Sequence, residues 1–171
     1  MQSQFTIGNS SIRLRPATEI DWDFQLALYG DTRADEMALV DWPPEQKLGF
    51  LSQQFHAQTS HYQNYFPSAV TKIIWLDDLP IGRMILNFNP DFIHIIDIAL
   101  LFKYRNLGIG SILIKDLQDE AKSLRLPIIL RVEIFNPAIR LYQRFGFEKS
   151  KSMEVYQEMV WSPPPIQNDP E

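Results

Sequence analysis

The sequence predicts one α/β domain in which an antiparallel meander runs into two parallel strands joined by a crossover helix. Three observations carry this. Apolar runs at 70–76 (VTKIIWL) and 81–88 (IGRMILNF) flank the turn residues Asp77, Asp78, Leu79 and Pro80, a hairpin signal. Two further runs, 92–101 (FIHIIDIALL) and 128–135, are separated by an amphipathic stretch, so their strands should be parallel with a right-handed crossover. The loop opening that stretch, KYRNLGIG, carries the glycines of a strand-to-helix turn.

At 171 residues a single domain over 1–161 is expected, large enough to bury a core without staples. Residues 162–171 (SPPPIQNDPE) form a loose tail on this reading. The chain has no cysteine, which excludes disulfides, thiol nucleophiles and thiolate-held metal. Its first residues lack a basic cap and apolar run, so no signal peptide is expected. No apolar stretch reaches the roughly 20 residues a membrane span needs. The expectation is a soluble cytoplasmic protein with no membrane partner.

A net charge of −5 argues against a nucleic-acid partner. The charge is unevenly spread. Residues 1–101 carry six Lys/Arg against twelve Asp/Glu, whereas residues 102–151 carry ten against five. The split suits a polyanionic cofactor on one side and a cationic co-substrate on the other, although solvated faces of uneven charge give the same pattern.

In chain order, residues 10–15 alternate Ile12 and Leu14 with Arg13 and Arg15, a half-buried strand stopped by Pro16. Thr18 caps a helix, with Asp21 three residues on in an imperfect capping box, and Trp22, Leu26 and Tyr29 line one side up to Gly30. Residues 31–41 give no clear assignment. After Pro43 and Pro44 a longer helix reaches about Phe66, with Leu48, Leu51, Phe55, Tyr62 and Phe66 at helical spacing. The strands at 70–76, 81–88 and 92–101 follow. A helix from Gly108 then places Ile109, Ile112, Leu113, Leu117, Ala121 and Leu124 in an i, i+3, i+4 series, and Pro127 marks its end. After strand 128–135, Asn136 caps a short helix with Pro137 in its first position, ended by Gly146. Residues 147–161 make the last strand, with room for a hairpin before it.

The chemistry starts at the loop after the third run. Gly108 and Gly110 let an anion approach backbone N–H groups that are also the unsatisfied donors of a helix N-terminus, and Arg105 adds a fork of donors. A Walker loop is excluded because Ser111 and Ile112 follow the last glycine where a lysine is needed. A Rossmann fingerprint is excluded because Leu113 stands where its third glycine belongs. What remains is R-x-x-G-x-G, Arg105 to Gly110. Glycines serving only close packing in a β–α turn are the plain alternative.

RNLGIG opens one helix, and 26 residues after Gly110 comes NPAIRLYQRFGF. Together the two blocks resemble the GNAT superfamily of acyl-CoA-dependent N-acetyltransferases. The first is similar to its acetyl-CoA loop. The second is similar to its N-x-x-A-x-x-x-Y-x-x-x-G-F segment, with the departure that Ala138 stands two positions after Asn136 and Tyr142 six. The order of elements from about Ser10 to Trp161 also matches. The resemblance implies the GNAT fold: a mixed, mostly antiparallel sheet with splayed parallel central strands flanked by helices.

It further implies acetyl-CoA as co-substrate, no metal, and a primary amine on a small molecule or peptide as acceptor. The pantetheine arm would lie between the splayed strands, pairing with backbone around Ile98, Ala99 and Leu100. The N–H groups of Arg105, Asn106, Leu107, Gly108, Ile109, Gly110 and Ser111 would hold the pyrophosphate. Asn136 would face the pantetheine, and Tyr142 would come near the thioester sulfur. A phenol of pKa about 10 suits protonation of a departing thiolate, and an N–H such as that of Leu100 would stabilise charge on the carbonyl oxygen. For Tyr142 the plain alternative is an aromatic on a buried helix face.

An attacking amine must first lose a proton, and three groups on the paired strands offer to take it: His94, Asp97 and Glu133. His94 stands where some family members carry an acid, in phase with Ile96, Ile98 and Leu100; ordered water is the alternative base. Asp97, facing the other way in an apolar strand, needs a partner and acts structurally or orients substrate. Glu133 binds an amine on this reading, with Arg33 and Glu36 from the segment after the first helix. His56 and His61 lie off one helical face and suggest no metal site. Pairing of two copies through the late strands is a trait of the family. Two other readings stay open: an acyl-CoA-binding module without turnover, and an unrelated nucleotide-binding domain.

Overall fold

The structure, a computed structural model, describes residues 4–165, so the end of the expected tail lies outside the described residues. It is a mixed α/β fold whose residues gather into two compact units. The first takes the chain up to Asn87 together with Ile96–Ile109; the second takes Phe88–Ile95 and the chain from Gly110 on.

In the first unit, β1 (Gln4–Ile7), β2 (Ser10–Pro16), β3 (Val70–Leu76) and β4 (Leu79–Phe88) lie side by side, followed by the later residues of β5 (Ile93–Leu100). Strands β1 to β4 pair antiparallel with their neighbours. The alternation expected in β2 holds: Ile12 and Leu14 are buried while Arg13 is exposed. β1 was not foreseen, and Gly8 (φ 57) makes the tight turn that returns it along β2. Between β3 and β4 the turn is tighter than expected. Asp77 takes a left-handed φ of 52, and its Oδ1 accepts the Ser11 N–H at 2.8 Å.

The helix after Thr18 starts later and ends later than its pattern suggests. A 3-10 turn, Glu19–Asp21, precedes α1 (Trp22–Thr32), which runs through Gly30. The capping acid is more than a cap: Asp21 accepts the Thr18 N–H at 2.7 Å and both arms of Arg15, at 2.7 and 3.0 Å. The unassigned segment contains a short helix, α2 (Ala34–Ala38). The long helix α3 (Pro44–Tyr65) meets α1 through Phe55, whose ring lies 4.8 Å from Trp22 and 5.7 Å from Tyr29. Of its expected apolar stripe only Phe55 is fully buried; Leu48 stands exposed.

In the second unit the order is β5, β6 (Ile128–Glu133), β8 (Tyr156–Trp161) and β7 (Glu148–Ser152). Here the predicted parallel pair is present, Ile93 opposite Ile128 and Ile95 opposite Leu130. The other two pairings are antiparallel, and the stretch expected as one last strand is divided into β7 and β8, a hairpin. β6 is shorter than its apolar run because the Asn136 N–H turns back to the Glu133 carbonyl at 2.9 Å, which leaves Phe135 exposed. Helix α4 (Ile109–Leu124) buries Leu113, Ile114, Leu117 and Ala121. Arg125 at φ 58, rather than Pro127, ends it. Helix α5 (Ala138–Arg144) is closed by Gly146 at φ 82, as expected. No helix among the described residues is long and apolar enough to cross a membrane.

Candidate functional site

The glycine loop is built from its backbone. The Arg105 N–H closes a 3-10 turn on the Phe102 carbonyl at 3.1 Å and so is already engaged. From Asn106 to Ser111, the described residues show no backbone N–H bonded to a carbonyl across a turn or loop. Asn106 (φ 59) and Gly108 (φ 84) are both left-handed, which curls this run of amides. A Cβ on Gly108 would meet no atom within 4 Å, so glycine is needed there for its φ and the space over it is open. The residues present therefore fit an anion approaching the main chain. Asn106, Leu107 and Gly108 are exposed, while Ile109 is buried and anchors the first turn of α4.

Gly110 has a different reason. A Cβ there would lie 3.0 Å from Leu141 Cδ2, so the missing side chain makes room for α5 beside α4. The approach of a ligand, proposed from the sequence for both glycines, is supported by the space around Gly108; at Gly110 the packing alternative applies.

Within the first unit the loop is pinned from two sides. The Arg105 Nε–H donates to the Leu100 carbonyl at 3.0 Å, and its guanidinium lies 5.7 Å from the Phe102 ring. The Asp31 carboxylate accepts the Phe102 N–H at 2.7 Å. Asp97 has the partner its burial demanded. Arg83 Nε donates to Asp97 Oδ2 at 3.0 Å and Nη2 to Gln58 Oε1 at 2.8 Å, while Nη2 lies 2.9 Å from Asp97 Oδ2 in the ion pair. Gly82 lets β4 lie against this end of β5, because a Cβ would overlap the Ala99 carbonyl oxygen and reach 2.7 Å from Leu100 Cδ2. Ile98, Ala99 and Leu100 are half-buried. Arg33 and Glu36 face each other as an ion pair at 3.0 Å, so the two expected substrate residues partly satisfy one another.

In the second unit His94 sits opposite Ile129 and is half-buried. Burial pushes its imidazole below the ordinary value, the nearby Arg131 cation adds to the fall, and Glu158 opposes it. The neutral form is therefore favoured. Tyr142 is 9% exposed on the inner face of α5, its ring 5.7 Å from Phe147. Asn136 uses its side chain locally, Oδ1 accepting the Ala138 N–H at 2.9 Å, which starts α5. Glu133 closes β6 and is exposed.

Sequence reasoning missed Arg83 and Gly82. A glycine inside an apolar strand was the available signal for Gly82. A lone arginine two positions from Ile81 and Ile85 was the signal for a buried pair.

The family model described as acetyltransferase (GNAT) family matches residues 33–147. An N-alpha-acetyltransferase of Sulfurisphaera tokodaii is 36% identical over 66 residues, a match covering 37% of this chain and 40% of that relative. The match thus spans less than half the length of that curated relative. Among solved structures, the PaiA N-acetyltransferase of Thermoplasma acidophilum in complex with coenzyme A superposes with a TM-score of 0.67 at 13% identity, over 88% of this chain and 98% of that one. The Campylobacter jejuni N-acetyltransferase PseH in complex with acetyl coenzyme A gives a TM-score of 0.56 at 16% identity, over 88% and 98%. At these identities the structural likeness establishes the fold.

Proposed function

Because the chain belongs to the acetyltransferase (GNAT) family, we propose that it moves an acetyl group from acetyl-CoA to a primary amine by direct attack on the thioester. The observation that carries this reading is the loop before α4, where Asn106 and Gly108 are both left-handed and the space over Gly108 is open. The PaiA and PseH structures, which hold coenzyme A and acetyl coenzyme A, support the choice of ligand.

When bound, acetyl-CoA supplies an acyl carbon already activated as a thioester. In this reading the amides from Asn106 to Ser111 and the guanidinium of Arg105 hold its diphosphate. Main chain at Ile98, Ala99 and Leu100 aligns the pantetheine, with Asn136 beside it, and the Leu100 N–H steadies charge on the carbonyl oxygen. The Tyr142 phenol holds the proton that the departing sulfur needs. His94, kept neutral by burial, accepts the proton that the amine gives up. Asp97, clamped by Arg83, acts as a fixed charge that orients the acceptor. Arg33, Glu36 and Glu133 belong to acceptor recognition.

The test is thiol release from acetyl-CoA with an amine panel, together with mass spectrometry of the acceptor. The panel holds a peptide with a free N-terminus, a lysine side chain and a polyamine. The peptide takes its place from the name of the Sulfurisphaera relative. Thiol release matched one-to-one by an N-acetyl product supports the reading. Coenzyme A binding without turnover on any amine contradicts it and favours a binding module.

A further inference from the structure

The second unit holds a buried acid, Glu158, that the proposed transfer does not use. Along β6, Ile128, Leu130 and Val132 are buried while Ile129, Arg131 and Glu133 take the other side. The ladders place His94 of β5 beside Ile129, and Glu158 of β8 beside Arg131. Lys151 of β7 stands beyond Glu158. One face of four strands therefore carries, in order, an imidazole, a guanidinium, a carboxylate and an ammonium.

Glu158 is 9% exposed, and a carboxylate so placed needs partners. β7 supplies them through a bulge. Lys149 pairs with Met159 and Lys151 with Glu158, so Ser150 is the extra residue. The bulge brings two donors to one oxygen. The Ser150 hydroxyl donates to Glu158 Oε1 at 2.8 Å, and Lys151 Nζ lies 4.0 Å from it. Oε2 faces Arg131, whose Nε is 3.7 Å away. The carboxylate thus tethers a guanidinium that would otherwise range through solvent. Burial acts first on the His94 imidazole; beyond it, Arg131 opposes protonation and Glu158 favours it. The remaining charges stand less directly against His94. Glu133 lies two residues past Arg131 and is exposed, and Asp91 is exposed in the turn before β5. Glu148 is level with His94 but has β6 and β8 between. Asp97 takes the opposite face of β5 and is held by Arg83.

We propose that Arg131 and Glu158 are positioning residues that together set the pH at which His94 serves as the base in acetyl transfer. The bulged β7 holds Glu158, Glu158 holds Arg131, and the two opposite charges bracket the imidazole. This rests on the role given to His94 above, but titration of the ring is read without turnover, so the two can fail separately.

The experiment follows the imidazole shifts of the intact protein through a pH titration, with His94→Gln to identify its signal among the three histidines. Arg131→Gln removes a repelling charge, so the His94 midpoint rises. Glu158→Gln removes an attracting one, so the midpoint falls. Arg131→Lys restores a cation and returns the midpoint toward that of the unaltered protein. The acid limb of kcat/KM moves the same way as each midpoint. Should Glu158→Gln be poorly folded, Arg131→Glu, at an exposed position, must raise the midpoint further than Arg131→Gln does. Midpoints that stay fixed, or that move in one direction in both glutamine variants, overturn the proposal. Midpoints that move as expected while the kcat/KM limb stays put overturn it too, because His94 is then not the base. The expected midpoints with no turnover at all instead mark the failure of the transfer reading and leave the charge pair standing.

Discussion

Arg83 holds Asp97 by a hydrogen bond from Nε at 3.0 Å and an ion pair with Nη2 at 2.9 Å on the same carboxylate oxygen, with the arginine almost wholly out of solvent. This pairing explains why an acid interrupts the apolar strand β5, and it limits what Asp97 does. A carboxylate clamped by a buried guanidinium holds a fixed charge at this place in the strand.

Replacing one partner strands the other. Asp97→Asn leaves the Arg83 cation buried with only neutral acceptors, and the cost is expected at about 2–4 kcal/mol, below the full penalty because Asp97 keeps some contact with water. Denaturant unfolding reads this directly. The pair Asp97→Asn with Arg83→Met should recover part of the loss; equal or greater instability in the double variant contradicts the ion-pair account.

Gly82 is required by space, not by φ. Gly82→Ala drives a methyl into the Ala99 carbonyl and the Leu100 side chain, so β4 and this end of β5 must move apart at a cost of about 1–3 kcal/mol. Gly108→Ala meets no neighbour and carries only the strain of a left-handed alanine, about 1 kcal/mol. A larger stability loss at Gly108 than at Gly82 counts against this ordering.

His94 makes stability depend on pH. Its folded value lies below its unfolded one, which is about 6.5. The unfolded chain therefore takes up the proton first as pH falls. The contribution is complete above the unfolded value and is lost as pH falls from there through the lower folded value. Melting temperatures between pH 8 and pH 5 should decline below about 6.5, and His94→Gln should flatten that decline. An unchanged slope removes His94 as its source.

Tyr142 pairs a buried ring with a phenol assigned to proton donation. Tyr142→Phe keeps the ring against Phe147, so the fold and coenzyme A affinity should hold while turnover falls by about a hundredfold. Normal turnover in this variant means the proton comes from elsewhere.

Local physics explains what the sequence made legible. The apolar runs, the amphipathic α4 and the two motif blocks announce themselves through period and spacing, and they yielded the fold and the parallel pair. Pairings distant in sequence left no local trace. Asp97 showed that it needed a partner but not that Arg83 supplies it, fourteen residues away on β4. Gly110 looked like Gly108 until Leu141 was seen beside it. β1 went unread because QFTI is too short to display a period, although the Gly8 turn after it was visible. Helix α2 went unread because none of its residues is buried, leaving its acidic segment no apolar face to read.

The central claim is that the amides from Asn106 to Ser111 grip a diphosphate. Calorimetric titration with coenzyme A and with pantetheine, which lacks the diphosphate, tests it most directly. The account predicts that coenzyme A binds at least a hundredfold more tightly, and that Gly108→Ala narrows the gap by weakening coenzyme A alone. Equal affinity for the two ligands, or no binding of coenzyme A at all, would contradict it.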